Sequence, residues 1–250
     1  VEVHATVDER DEVGIVVVAG EDVVLAGVVV VVAAALGCTG TAVVLEHAGD
    51  GVGAPAQVVA VVIGGGQTLG AFLCHGLAAE GYRVAVVDIQ SDKAANVAQE
   101  INAEYGESMA YGFGADATSE QSVLALSRGV DEIFGRVDLL VYSAGIAKAA
   151  FISDFQLGDF DRSLQVNLVG YFLCAREFSR LMIRDGIQGR IIQINSKSGK
   201  VGSKHNSGYS AAKFGGVGLT QSLALDLAEY GITVHSLMLG NLLKSPMFQS

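Results

Sequence analysis

From residue 58 onward, short apolar runs alternate with stretches whose apolar positions recur at helical spacing. Residues 58–63 form an unbroken apolar run, the pattern of a strand buried on both faces. A helix follows over 69–80, then a strand over 83–88 and a helix over 92–105. The pattern continues with a strand over 109–115, a helix over 120–134 and a strand over 137–142. A long helix is predicted over 159–184, a fifth strand over 190–195, a second long helix over 209–229 and a sixth strand over 233–239. Repeated βα units predict an α/β fold, a parallel, doubly wound Rossmann-type sheet with right-handed crossovers. Ligands of such sheets bind outside the carboxyl ends of the strands, near the switch point.

The alternation does not extend upstream. Residues 1–57 contain no lysine and no aromatic residue, and valine dominates, with an unbroken run over 28–32. Nine acids stand against Arg10 alone, so this segment holds −8 of the formal net charge of −11. Residues 23–45 carry no charge, a length that spans a bilayer. Their acidic flanks, without Lys or Arg, argue against a membrane helix, and a start of Val-Glu-Val-His argues against a signal peptide. Three readings stay open: an unrelated extension, accessory strands packed on the main domain, or a membrane segment. Pro55, in a Gly/Ala-rich stretch, marks a linker. The expected division is therefore 1–57, a Val/Ala/Gly-rich acidic extension of unknown role, and 58–250, the main domain.

Charge and cysteine content narrow the classes. An acidic protein lacks the basic face that nucleic acid requires. Cys38, Cys74 and Cys174 show neither metal spacing nor a disulfide framework. They predict a reducing, cytoplasmic setting and no metal site.

The first βα turn reads Ile63-Gly64-Gly65-Gly66-Gln67-Thr68-Leu69-Gly70. Glycine lets the main chain turn tightly and approach a diphosphate, and the helix start offers free N–H groups. Asp88 ends the next strand, 24 residues after Gly64, where a carboxylate accepts from adenosine ribose hydroxyls and repels a 2′-phosphate. With no arginine in the loop, NAD is favoured over NADP. Asp116, followed by Ala117, ends the third strand as a candidate for the adenine edge, or else as a helix N-cap. Ser143-Ala144-Gly145 ends the fourth strand with residues small enough for a ribose to approach.

Tyr209-Ser210-Ala211-Ala212-Lys213 opens the second long helix. Residues four apart share a face, so phenol and ammonium address one ligand. A lysine cation favours the phenolate and lowers an ordinary pKa near 10. Ser196, thirteen residues before Tyr209, ends the fifth strand at the same rim. Asn167 lies in the preceding long helix.

Together these pieces resemble the short-chain dehydrogenase/reductase family over residues 58–250. The carrying stretches are the glycine-rich turn, Ser143-Ala144-Gly145, Asn195-Ser196-Lys197-Ser198-Gly199 and Tyr209-Ser210-Ala211-Ala212-Lys213. The family's three glycines fall on Gly64, Thr68 and Gly70, so Thr68 replaces the middle one. Its Asn-Asn-Ala-Gly appears as Tyr142-Ser143-Ala144-Gly145, and its Pro-Gly after the sixth strand as Leu239-Gly240. The resemblance implies that Tyr209 is the general acid/base, that Lys213 holds the nicotinamide ribose and tunes Tyr209, that Ser196 fixes the substrate oxygen, and that Asn167 orders a proton-relaying water. Gly64, Gln67, Thr68, Leu69, Gly70 and Gly240 would border the cofactor. The implied reaction is hydride transfer between NAD and a polyol phosphate, sorbitol 6-phosphate giving fructose 6-phosphate, in a tetramer built on the two long helices.

Family members continue beyond the sixth strand, so the sheet is expected to stop one strand short and to expose an edge. That leaves two alternatives: an NAD-binding fragment of little activity, or a ketoreductase of another substrate class. The stretch 196–209 carries Lys197, Lys200, Lys204 and His205. Lys200 and Lys204 are candidate clamps for a substrate phosphate, with a solvated basic loop as the other reading.

Overall fold

The computed structural model describes residues 58–239 and the backbone of Val16–Val18. Its elements are β1 (Val16–Val18), β2 (Val59–Ile63), α1 (Thr68–Ala79), β3 (Arg83–Asp88), α2 (Ser91–Tyr105), β4 (Ala110–Gly114) and α3 (Glu120–Phe134). They continue with β5 (Leu139–Tyr142), α4 (Leu157–Leu164), α5 (Gly170–Arg184), β6 (Arg190–Ser196), α6 (Ser207–Leu227) and β7 (Thr233–Leu239). The sheet order is β1-β7-β6-β5-β2-β3-β4. β2 to β7 run parallel, as the six apolar runs predict.

β2 lies between β3 and β5. The chain winds outward through β3 and β4, then returns to add β5, β6 and β7 on the other side. The reversal opens a crevice between the loops that leave β2 and β5, and the site occupies it. Every residue of β2 is buried, because helices cover both faces of the sheet. One apolar cluster joins Val62, Leu73, Leu77, Val97 and Ile101 beneath α1 and α2. The other joins Val61, Val130, Phe134, Tyr171 and Phe178 beneath α3 and α5.

Two expectations are corrected. The helix predicted over 159–184 is α4 and α5 joined by a π turn at Gln165–Val169. Polar side chains compete there with the main-chain ladder: Asn167 Nδ2 donates to Ser163 O at 2.9 Å, and Tyr142 Oη donates to Val166 O at 2.5 Å. The outer edge of β7 is also not bare. Val16–Val18 pair antiparallel with it, Val16 opposite Met238 and Val18 opposite Ser236. Of the three readings open for residues 1–57, Val16–Val18 follow that of an accessory strand packed on the main domain. The apolar stretch 23–45, Cys38 and Pro55 lie outside the described residues.

Candidate active site

A cleft of about 390 Å³ lies at the carboxyl ends of β2 to β7. Its floor is the turn between β2 and α1. Gly64 holds φ at +81°, and the Gly64 and Gly65 amides both donate to Val87 O at 2.8 Å. A side chain at Gly70 would overlap the Gly64 carbonyl, so only glycine lets α1 start this close to the turn. Thr68 sits at φ +47°, a left-handed conformation costly for a β-branched residue. Gln67, Thr68 and Leu69 line the cleft, and Lys93 Nζ reaches across from α2 to Gln67 Oε1 at 2.6 Å.

Asp88 lines the next part of the wall and is only 6% exposed. Its Oδ2 accepts from Gly66 N at 3.1 Å and its Oδ1 from Gln90 N at 3.0 Å. Two backbone donors therefore fix the carboxylate, and each oxygen keeps acceptor capacity. Asp116 and Ala117 line the same end. Asp116 Oδ1 accepts from Thr118 N at 2.9 Å and from Thr118 Oγ1 at 2.7 Å. The N-cap alternative for Asp116 is corrected: Ser119 caps α3, its Oγ accepting from Ser122 N. Ser143, Ala144 and Gly145 form the facing wall.

Asn167 stands behind that wall rather than in it. It is fully buried, its Nδ2 donating to Ile146 O at 2.8 Å and its Oδ1 accepting from Ile146 N at 3.2 Å. The side chain that the family resemblance linked to a water is thus committed to the loop after β5.

At the far end, β6 delivers Ser196, and α6 delivers Tyr209 and Lys213 one helical turn apart. All three line the cleft. Burial pushes the Lys213 ammonium down to about 8, and its Nζ donates to Ile194 O at 3.0 Å. Burial holds the Tyr209 phenol above its ordinary range, and a hydrogen bond with Ser196 acts the other way. This differs from the expectation that lysine sets the phenol: Lys213 Nζ is 5.4 Å from the Tyr209 ring centroid and bonds main chain instead. Desolvation of the phenol outweighs the Ser196 hydrogen bond.

Lys197, Lys200, Lys204 and His205 are exposed and are not part of the cleft wall. Gly240 lies outside the described residues. Sequence reasoning missed Arg162, Val166, Ile146 and Asn195, which do line the cleft. Arg162 and Val166 are four residues apart in one helical stretch, a signal the motif-based reading passed over. Among the described residues no cluster suits a metal ion, and no helix is long and apolar enough to cross a membrane.

The fold and this arrangement define a nucleotide-dependent oxidoreductase. Residues 58–250 match the family model for short chain dehydrogenase, and the chain belongs to that family. Its cofactor is accordingly a nicotinamide dinucleotide and its substrate a small molecule. A crystal structure of sorbitol-6-phosphate 2-dehydrogenase from Erwinia amylovora is 78% identical, with a TM-score of 0.75, over 77% of this chain and 75% of that one. NAD+-bound xylitol dehydrogenase is 31% identical, with a TM-score of 0.68, over 72% of this chain and 69% of that one. D-threitol dehydrogenase of Mycolicibacterium smegmatis is 33% identical over 72% of this chain and 68% of its own length.

Proposed function

We propose that this chain oxidises a polyol phosphate with NAD, converting sorbitol 6-phosphate to fructose 6-phosphate. The observation that carries the chemistry is the convergence of Ser196, Tyr209 and Lys213 at one end of a cleft whose other end presents Asp88. The substrate reading is supported by the 78% identity to the Erwinia enzyme.

The residues present fit a dinucleotide. The close seat of Gly70 on Gly64 leaves the turn open to a diphosphate, and Asp88 is oriented by two amides. The nicotinamide ring supplies a hydride acceptor at the Tyr209 end. Asp88 accepts from the adenosine ribose and disfavours a 2′-phosphate, which selects NAD. Lys213 holds the nicotinamide ribose and is cationic below about 8, burial having lowered the pH at which it loses its proton. Ser196 donates to the substrate oxygen. Tyr209, as phenolate, takes the hydroxyl proton while the carbon loses its hydride. Before substrate binds, the hydrogen bond with Ser196 lowers the Tyr209 pKa against the effect of burial, and the single Ser196 proton is released to the substrate oxygen when substrate arrives. Asn167 fixes the loop after β5, so any proton-relaying water it orders would meet its main chain.

Residues 58–250 form the catalytic domain, preceded by an extension over 1–57 whose Val16–Val18 pair with β7. Exposed Phe172 on α5 and Phe214 and Leu225 on α6 support pairing of copies through the two long helices. Buried, unpaired Cys74 and Cys174 fit a reducing cytoplasm.

The test is a steady-state assay following NADH formation with sorbitol 6-phosphate, sorbitol, xylitol and D-threitol, each with NAD and NADP. The expected outcome is preference for the phosphorylated polyol and for NAD. Turnover of a ketoacyl substrate with no polyol oxidation would overturn the reading.

A further inference from the structure

We propose that Asn195 is a positioning residue that fixes Lys213 and Ser196 in register through a single buried side chain. The inference rests on the reading of the site given above. Asn195 is 3% exposed at the end of β6, and its amide meets both residues. Its Oδ1 accepts from Ser196 N at 2.8 Å, and its Nδ2 donates to Lys213 O at 3.1 Å. The same Nδ2 lies 2.9 Å from Ser236 Oγ on β7 and 3.2 Å from Gln193 Oε1. Ser236 Oγ in turn donates to Gln193 Oε1 at 3.3 Å. This places Asn195 at the centre of a polar seam joining β6, β7 and α6.

The seam grips Lys213 at both ends. Ile194 O takes its ammonium, and the neighbouring Asn195 takes its carbonyl. A lysine side chain is a flexible stem with several rotatable bonds, so holding the head alone leaves the main chain free to slide. Holding the carbonyl as well sets the position of α6 along the strand. Small residues make the close approach possible. A side chain at Gly216 would overlap the Gln193 amide, and one at Gly199 would stand 3.0 Å from both Asn195 Oδ1 and Lys213 O. Buried amides of this kind are kept because each lost bond leaves a desolvated partner.

The prediction is that Asn195 acts through Lys213. Asn195→Asp keeps the shape and the acceptor for Ser196 N but sets a carboxylate against the Lys213 carbonyl. Asn195→Ala removes both bonds. Each is expected to weaken NADH binding, read by fluorescence titration, and to lower kcat by about tenfold. The deciding measurement is a double-mutant cycle: in a Lys213→Ala background the same change should alter NADH affinity less than about twofold. A purely structural residue would cause equal fold-losses in both backgrounds, and that result, or no effect of either substitution alone, overturns the proposal. If both Asn195 variants fail to fold, Ser236→Ala should reproduce the pattern at smaller size, since it loosens Asn195 from β7 without touching Lys213. Equal losses for Ser236→Ala in the two backgrounds would overturn it likewise. The binding cycle needs no turnover. Should the unmutated chain oxidise no polyol phosphate, the substrate reading fails while Asn195 is still judged.

Discussion

Where β2 meets α1, the cleft is walled by main chain: Gly64 in a left-handed conformation, Gly70 seated on its carbonyl, and the Gly66 amide donating to Asp88. Where β6 meets α6, it is walled and backed by side chains, with Gln193, Asn195, Lys213 and Ser236 all buried. The difference follows from what each end must do. A diphosphate needs several donors at fixed spacing, and backbone N–H groups supply them at no side-chain entropy cost. Proton transfer needs one group whose affinity for a proton is set by its surroundings, which only a side chain offers. The first end is therefore specified by conformation and the second by burial. At the second end Lys213 and Tyr209 are both shifted by desolvation.

The comparison is broken most sharply at its catalytic end. Tyr209→Phe removes one oxygen and keeps the ring. It should lower kcat by about 10²- to 10⁴-fold, the usual contribution of a general acid/base, with NADH affinity nearly unchanged. Loss of NADH binding in the same variant, measured by titration, would mean that the two ends are not separable.

Asp88→Ala tests the other end. It should raise the Michaelis constant for NAD by about ten- to a hundredfold, as loss of charge-assisted hydrogen bonds implies, while kcat stays close to its starting value. NADP is the internal control. Loosening of the turn through the lost Gly66 and Gln90 bonds would penalise both cofactors, whereas loss of the negative charge penalises NAD alone. Parallel losses for NAD and NADP would move Asp88 from selecting the cofactor to holding the loop.

The two ends also differ in how legible they are in the sequence. Glycines before a helix, and an acid at the next strand end, announce a main-chain site because few other uses need that combination. Tyr209 and Lys213 are readable only in combination: a Tyr-x-x-x-Lys pair by itself is more often a solvated helix face, and it becomes specific downstream of the glycine-rich turn and Ser196. The scaffold behind them was not read. Gln193 and Asn195 sit two apart in a strand covered on both faces, where buried polar groups seek hydrogen bonds; Gln193 Oε1 finds them, while its Nε2 has no protein partner. That signal was present, but the partners come from β7 and α6, which no local pattern places. The π turn escaped for a related reason: one of the two side chains that compete with its main-chain ladder, Tyr142, comes from β5. The strand Val16–Val18 was one of three open readings, since a valine-rich stretch does not reveal its pairing partner.

The basic loop lies outside both ends. Lys200→Ala/Lys204→Ala should raise the Michaelis constant for sorbitol 6-phosphate by roughly three- to thirtyfold, if each exposed lysine–phosphate contact contributes about 0.5–1 kcal/mol. The constant for unphosphorylated sorbitol should not move, and added salt should shrink the difference. Both lysines are exposed and absent from the cleft wall, so equal behaviour of the two substrates would return this loop to solvated surface.

The smallest effect is expected where the main-chain end departs from its own logic. Thr68 stands at φ +47°, in a turn otherwise made of glycine where conformation demands it. A non-glycine residue there costs about 1–2 kcal/mol. Glycine would remove that strain but lose more freedom on folding, about 0.5–1 kcal/mol, so Thr68→Gly should change the melting temperature little. Its effect on the cofactor separates two uses of the threonine. If Thr68 is only tolerated, removing its side chain lets the diphosphate approach the turn, and NAD affinity should rise by about two- to fivefold, a gain below 1 kcal/mol. If its hydroxyl donates to the diphosphate, affinity should fall instead, Thr68→Ser should keep it, and Thr68→Val should lose it. Calorimetric titration of the three variants with NAD decides between them. A hydroxyl donor at Thr68 would mean that even the conformational end of this cleft depends on a side chain, and the contrast between the two ends would be one of degree.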